Sequence, residues 1–165
     1  CYYYRKAYYR AFFGLPPACG VGPMKYGRYE GESGILIFQN LHRYTLYIAI
    51  LLLPFLFYEA FMSLSYHGQL GFGVGSVLLF INATLLTLYT FGCHSFRHII
   101  GGRLNCFSCD ASSEIRGGAW RRVSWLNGRH MQFAWASLLW FLLTDVYVRA
   151  CSMGYITDLN TWSTL

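Results

Sequence analysis

The chain has 165 residues, of which 19% are aromatic and only 12% are charged, and its formal net charge is +6. Charged residues make up about a quarter of an ordinary soluble domain, and disordered chains contain few aromatic residues, so the composition argues against both classes. A chain of this length cannot cover so much apolar surface in water, whereas a bilayer removes that requirement. The composition therefore favours a membrane protein.

The first 40 residues form a leading segment that is rich in tyrosine and basic residues. The sequence begins at Cys1 rather than at methionine. We therefore expect that the chain belongs to a longer protein and that further membrane helices precede it. Residues 41–165 are predicted to form the transmembrane domain, with a cytoplasmic loop at 97–130 that carries the cysteines and histidines described below.

Long apolar segments predict an all-α membrane helix bundle. Glu59 is the only formal charge between Arg43 and Arg97, and the stretch is divided by a glycine-rich turn that begins near residue 65. A helix needs about 20 residues to cross a hydrocarbon core of about 30 Å. Pro54 is compatible with a membrane helix, because packed neighbours can satisfy the carbonyl that it frees. The predicted transmembrane helices cover about 41–62, 72–96 and 131–149.

The basic residues are distributed unevenly between the two predicted sides of the membrane. Twelve of the thirteen Lys and Arg residues lie in the leading segment, at the start of the first helix, or between residues 97 and 130. The positive-inside rule places those regions in the cytoplasm. Arg149 is the exception, and it follows Asp145 by four residues, where we expect an ion pair on one helix face. We expect no nucleic-acid partner.

Two histidines at the end of the second helix are candidate metal ligands. If that helix continues through Ile100, His94 and His98 lie one turn apart on the same face. An H-x-x-x-H pair on one helix face is a spacing that can hold a single metal ion. Two glycines follow at positions 101 and 102, where they are expected to end the helix and let the chain turn back.

Two cysteines follow the histidines closely. Cys106 and Cys109 form a C-x-x-C pair, another chelating spacing, and as cytoplasmic residues they are expected to be reduced. Cys93 is an alternative ligand that could replace either of them, but it points about 100° away from His94 around a helix. The sequence therefore predicts a site built from two imidazoles and two thiolates.

Four interpretations of this site remain open from the residues alone. Cys₂His₂ ligands can close a tetrahedron around a structural zinc ion. Two cysteines on one iron and two histidines on the other can hold a Rieske-type [2Fe–2S] cluster. Two of the histidines at positions 42, 94, 98 and 130 could instead ligate a b-type haem between helices. Finally, the histidines could simply anchor the helix while the cysteines stay free thiols.

Five motifs, taken together and in order, resemble one known family. The chain is similar to the single membrane subunit of the actinobacterial-type succinate dehydrogenase, which carries a membrane-embedded Rieske cluster and no haem. The resemblance extends from the leading segment to the third helix and is most specific in the Cys/His run. The motifs are residues 40–44, 90–98, 106–109, 121–127 and 129–131.

The resemblance implies a multi-pass subunit of the bacterial plasma membrane that docks a flavoprotein subunit and an iron–sulfur subunit on its cytoplasmic face. Electrons would pass from succinate through those subunits to a membrane quinone, expected to be menaquinone. The residues that oxidise succinate would belong to the flavoprotein, so this chain would have none. His94 and His98 would be the imidazole ligands of the cluster, and Cys106 and Cys109 the thiolate ligands.

A quinone near the cytoplasmic face would need hydrogen-bond donors for its carbonyl oxygens. An interfacial belt of aromatic and basic residues is the alternative interpretation of the same side chains. A non-catalytic membrane protein with a structural zinc site, and a haem-bearing anchor of the same enzyme class, remain the alternatives for the whole protein. The candidate quinone-binding residues are His42, Arg43, Tyr44, Trp120 and Trp125.

Overall fold

The computed structural model describes residues 35–66, 68–101 and 106–161. The leading segment up to residue 34 lies outside the described residues. For residues 35–43, Tyr66 and His98 the structure describes only the backbone.

The described residues are mostly helical, which confirms the predicted all-α class. A pair of two-residue antiparallel strands, β1 (Ser65–Tyr66) and β2 (Gln69–Leu70), forms the turn that was predicted between the first two long helices. The helices are α1 (Ile35–Met62), α2 (Val74–Phe91), α3 (His94–Gly101), α4 (Ala111–Gly128) and α5 (His130–Ser152).

Three of these helices are long and apolar enough to cross a membrane, which confirms the number predicted for this part of the chain. The candidate spans are Tyr44–Met62, Val74–Phe91 and His130–Ser152. Pro54 lies inside α1 without ending it. Large apolar side chains such as Leu51 and Phe55 are exposed on this chain. Such surfaces are stable in hydrocarbon or against other helices, but not in water.

The second span ends earlier than the sequence indicated. The prediction of one helix through residue 96 or beyond is wrong, because α2 ends at Phe91 and α3 begins at His94. Glycine has low helix propensity, so a break at Gly92 costs little. The amide of Asn127 donates a hydrogen bond to the Gly92 carbonyl at 2.8 Å, which satisfies an acceptor that a continuous helix would have used internally.

The segment predicted as a loop at 97–130 contains an 18-residue helix, α4. The helix follows Asp110, whose carboxylate accepts a hydrogen bond from the Ser112 hydroxyl at 2.8 Å. Hydrogen bonds from Ser113 and then Ser112 hold the pKa of Asp110 below its ordinary value. Asp110 and Glu114 place negative charge at the helix N-terminus, where the helix dipole favours it. The helix α4 was not predicted, because its residues form no apolar stripe and include two adjacent glycines.

The chain divides into two compact units, one formed by Cys1–Ile48 with Thr90–His130 and the other by Ala49–Tyr89 with Met131–Leu165. The first contains α3, α4 and the Cys/His run. In the second, the segment after α5 returns to the start of α2. There the Asp158 carboxylate accepts hydrogen bonds from the Gly75 N–H at 3.0 Å and the Tyr147 hydroxyl at 2.6 Å.

The ion pair predicted on the third span is confirmed. The guanidinium of Arg149 lies 2.8 Å from the carboxylate of Asp145, four residues earlier on α5. An opposite charge one turn away reduces the cost of holding Arg149 at the end of an apolar helix.

Candidate metal centre

The two predicted histidine ligands lie on one short helix. His94 is the first residue of α3, and its side chain is only 2% exposed. His98 follows four residues later in the same helix, so the one-turn spacing is preserved although the helix is not the one predicted. The side chain of His98 lies outside the described part of the structure.

Cys106 and Cys109 are joined by a disulfide, with their Cα atoms 5.8 Å apart. The expectation that these cysteines are reduced is therefore wrong for the pair as the structure shows it. The physical reason is proximity, because the spacing that lets two thiolates bind one metal also lets two sulfurs bond to each other. A disulfide sulfur cannot act as a thiolate ligand. A metal site that uses both cysteines consequently requires the reduced pair.

Cys93, the alternative ligand, immediately precedes His94 at the break between α2 and α3. Its side chain is 4% exposed, and it takes no part in a disulfide. Among the residues that the structure describes, no three His, Cys, Asp or Glu side chains form a group that could hold a metal ion. The four-ligand site thus stays a prediction. Its donor set fits both zinc and an iron–sulfur cluster.

Trp120 of α4 packs against the end of α3. A Cβ atom placed on Gly101 would overlap Cδ1 of the Trp120 indole, so only glycine allows this approach. Phe107, the neighbour of Cys106, lies with its ring centroid 5.5 Å from that of Trp120. The guanidinium carbon of Arg97 lies 4.8 Å from the centroid of the Trp120 ring, a cation–π contact. The indole therefore touches α3 and the cysteine loop together.

Two arginines form hydrogen bonds between α3 and α4. Arg97 Nε donates a hydrogen bond to Ser124 Oγ at 2.8 Å. Arg116 donates two hydrogen bonds, at 3.1 and 3.0 Å, to the carbonyl of Ile100 near the C-terminus of α3. Carbonyls in the last turn of a helix lack internal partners, and cationic donors suit them. The sequence interpretation missed Arg116 and Ser124, because nothing in the spacing shows which arginine reaches the end of α3.

The predicted quinone-binding residues differ in their exposure and in the elements that carry them. Tyr44 is 61% exposed on α1, and the side chains of His42 and Arg43 lie outside the described residues. Trp125 is 55% exposed on α4, and the Arg129 guanidinium lies 4.1 Å from its ring centroid. Trp120 instead belongs to the contact between α3 and α4. The quinone site therefore stays a prediction.

The fold and the site define a class: a helical membrane protein whose described residues contain three candidate spans, with a cysteine- and histidine-bearing segment between the second and the third. The family model for the actinobacterial succinate dehydrogenase subunit SdhC matches residues 1–154. The chain belongs to this family.

A solved structure, the Mycobacterium smegmatis Sdh1 complex in the apo form, contains a similar chain at 45% sequence identity with a TM-score of 0.72. The match covers 96% of this chain and 59% of that one, so this chain spans about three fifths of the length of its structural relative. No curated protein matches the chain. The predicted family resemblance is confirmed, whereas the cluster stays a prediction.

Proposed function

We propose that the chain is the membrane anchor and electron-transfer subunit of a bacterial succinate:quinone oxidoreductase. The observation that carries the proposal is the family match over residues 1–154. The similarity to a chain of a solved Sdh1 complex supports it. The proposed partners are a flavoprotein subunit, which oxidises succinate, and an iron–sulfur subunit, which passes the electrons on. The other proposed partners are membrane lipid and a quinone, which is expected to be menaquinone.

The proposed cofactor is a Rieske-type [2Fe–2S] cluster held by His94, His98, Cys106 and Cys109, with Cys93 as the alternative ligand. When bound, such a cluster accepts and donates one electron at a potential between about −150 and +300 mV, above that of ferredoxin clusters. The chain's own residues supply neutral imidazoles, which leave the cluster less negative than four thiolates would. Burial of His94 keeps bulk water from its ring.

The disulfide adds a condition to this proposal. Cys106 and Cys109 must gain two electrons and two protons to become thiols, and the thiols must then lose their protons to bind iron. A cellular dithiol is the class of reductant that supplies those electrons. The cationic side chain of Arg97, three residues after His94, would favour deprotonated ligands and a reduced, more negative cluster.

The cytoplasmic face is the proposed location of the site. The basic residues of 97–130 and the leading segment support this orientation through the positive-inside rule. The same face would receive the soluble subunits, so electrons would enter the membrane subunit where the cluster lies. Tyr44 and Trp125, both exposed, are the remaining described candidates for contact with the quinone.

Histidine substitution tests the proposal. Changing His94 and His98 to alanine together should abolish quinone reduction by the purified complex, while electron transfer from succinate to a soluble dye continues at the wild-type rate. The reason is that the dye takes electrons from the soluble subunits, before the membrane cluster. His67→Ala, which lies between β1 and β2 in sequence and outside the predicted ligand set, is the matched control and should leave both activities intact. Quinone reduction that survives the double substitution would refute the proposed electron path.

A further inference from the structure

We propose that Trp120 is a positioning residue for the redox centre, whose indole N–H donates a hydrogen bond to a sulfur of the cluster. The inference rests on the proposed function, because it requires a cluster at the Cys/His site. It gives Trp120 a role different from the quinone contact that the sequence suggested.

The first observation compares the hydrogen bonding of the indole N–H groups of Trp140 and Trp120. Trp140 Nε1 donates to the Leu78 carbonyl at 3.1 Å. Trp120 Nε1 is buried, yet it has no hydrogen-bond partner among the described residues. Buried indole N–H groups nearly always find an acceptor. The Trp120 N–H is therefore a donor directed at something other than the described side chains and backbone.

The second observation is the position of that N–H group. Cδ1 and Nε1 are the indole atoms closest to a Cβ placed on Gly101, with Nε1 at 2.8 Å from it. Cδ1 and Nε1 of the indole thus lie against the end of α3, from which the chain continues to Cys106. This is the only stretch of backbone between the predicted histidine ligands and the predicted cysteine ligands.

The third observation is that each predicted ligand pair has a neighbour in contact with Trp120. Arg97, which lies between the two histidines in sequence, places its guanidinium over the ring at 4.8 Å. Phe107, which follows Cys106, packs on the ring at 5.5 Å between centroids. A donor held between both ligand segments is well placed for a sulfur acceptor of the cluster, and it is fixed there by packing on several sides.

The chemical consequence concerns the reduction potential. Hydrogen bonds to cluster sulfurs stabilise the reduced form, which carries more negative charge, and so raise the potential. Trp120→Phe keeps the aromatic ring and removes only the donor. We expect it to lower the ratio of reduced to oxidised cluster at fixed ambient potential by about threefold, equivalent to about 28 mV at about 59 mV per tenfold for one electron.

The experiment is a redox titration of the purified complex followed by electron paramagnetic resonance, with Trp135→Phe, at an exposed position of α5, as the matched control. The potential should fall in W120F and stay at the wild-type value in W135F. Equal potentials in W120F and the wild type would overturn the inference while leaving the proposed function intact. A wild-type complex without any cluster at this site would overturn both.

A second measurement does not depend on the stability of a variant. In wild-type complex grown with ¹⁵N-indole tryptophan, pulsed paramagnetic resonance of the reduced cluster should detect a weak ¹⁵N coupling. The coupling should persist in W125F, which shows that it does not come from Trp125. Its absence from the labelled wild type would contradict the assignment of Trp120, whatever the behaviour of W120F.

Discussion

The close packing beside the candidate site depends on a glycine, Gly101, which has no side chain. It is the last residue of α3, and the Trp120 indole lies directly against it. From sequence, Gly101 and Gly102 were interpreted only as a helix end, and Gly101 does end α3. Its packing role could not be predicted, because Trp120 comes from a different helix and only the tertiary contact reveals the close approach.

Gly101→Ala should therefore destabilise the contact between α3 and α4. The new methyl group would overlap Cδ1 of Trp120, and overpacking of this kind costs about 1–3 kcal/mol. We expect a lower melting temperature for the detergent-solubilised complex and a lower iron content, both measured against the wild type. Gly128→Ala is the control, because a Cβ there meets no atom within 4 Å. If the two variants melt alike, the close packing at Gly101 is not important for stability.

At the scale of the elements, the apolar spans were predictable and the polar helices were not. A long run of apolar residues predicts a membrane-spanning helix, so α1, α2 and α5 could be predicted from composition and length. The break at Gly92 and the helix α4 depend on contacts such as the hydrogen bond from Asn127 to Gly92. Periodicity and composition carry no information about such contacts, which explains why 97–130 was predicted as a loop.

The order of the elements leads to a test of the orientation. Ser112 is exposed near the start of α4, and Ser152 is exposed at the end of α5. Because one span, α5, separates them, a cysteine at the first position should react with a membrane-impermeant maleimide only from the cytoplasmic side. A cysteine at the second should react only from the outside. Labelling of Ser112→Cys from the outside would contradict the proposed cytoplasmic location of the docking face.

At the scale of the whole molecule, the sequence was sufficient to predict a membrane subunit of this family, and the family match confirms that prediction. It was not sufficient to predict the state of the cysteines. Residue spacing brings Cys106 and Cys109 together, but the same proximity permits a chelate or the disulfide that the structure contains. Which of the two forms depends on the availability of metal and reductant, and neither is encoded in the spacing.

The spectrum of the reduced, purified complex tests the central claim most directly. Paramagnetic resonance should show a [2Fe–2S] signal with nitrogen couplings from two histidine ligands, which distinguishes this cluster from any centre ligated only by cysteine. Visible absorption of the same sample should show no b-type haem band. A haem band, or zinc in stoichiometric amount without a histidine-ligated cluster, would contradict the account.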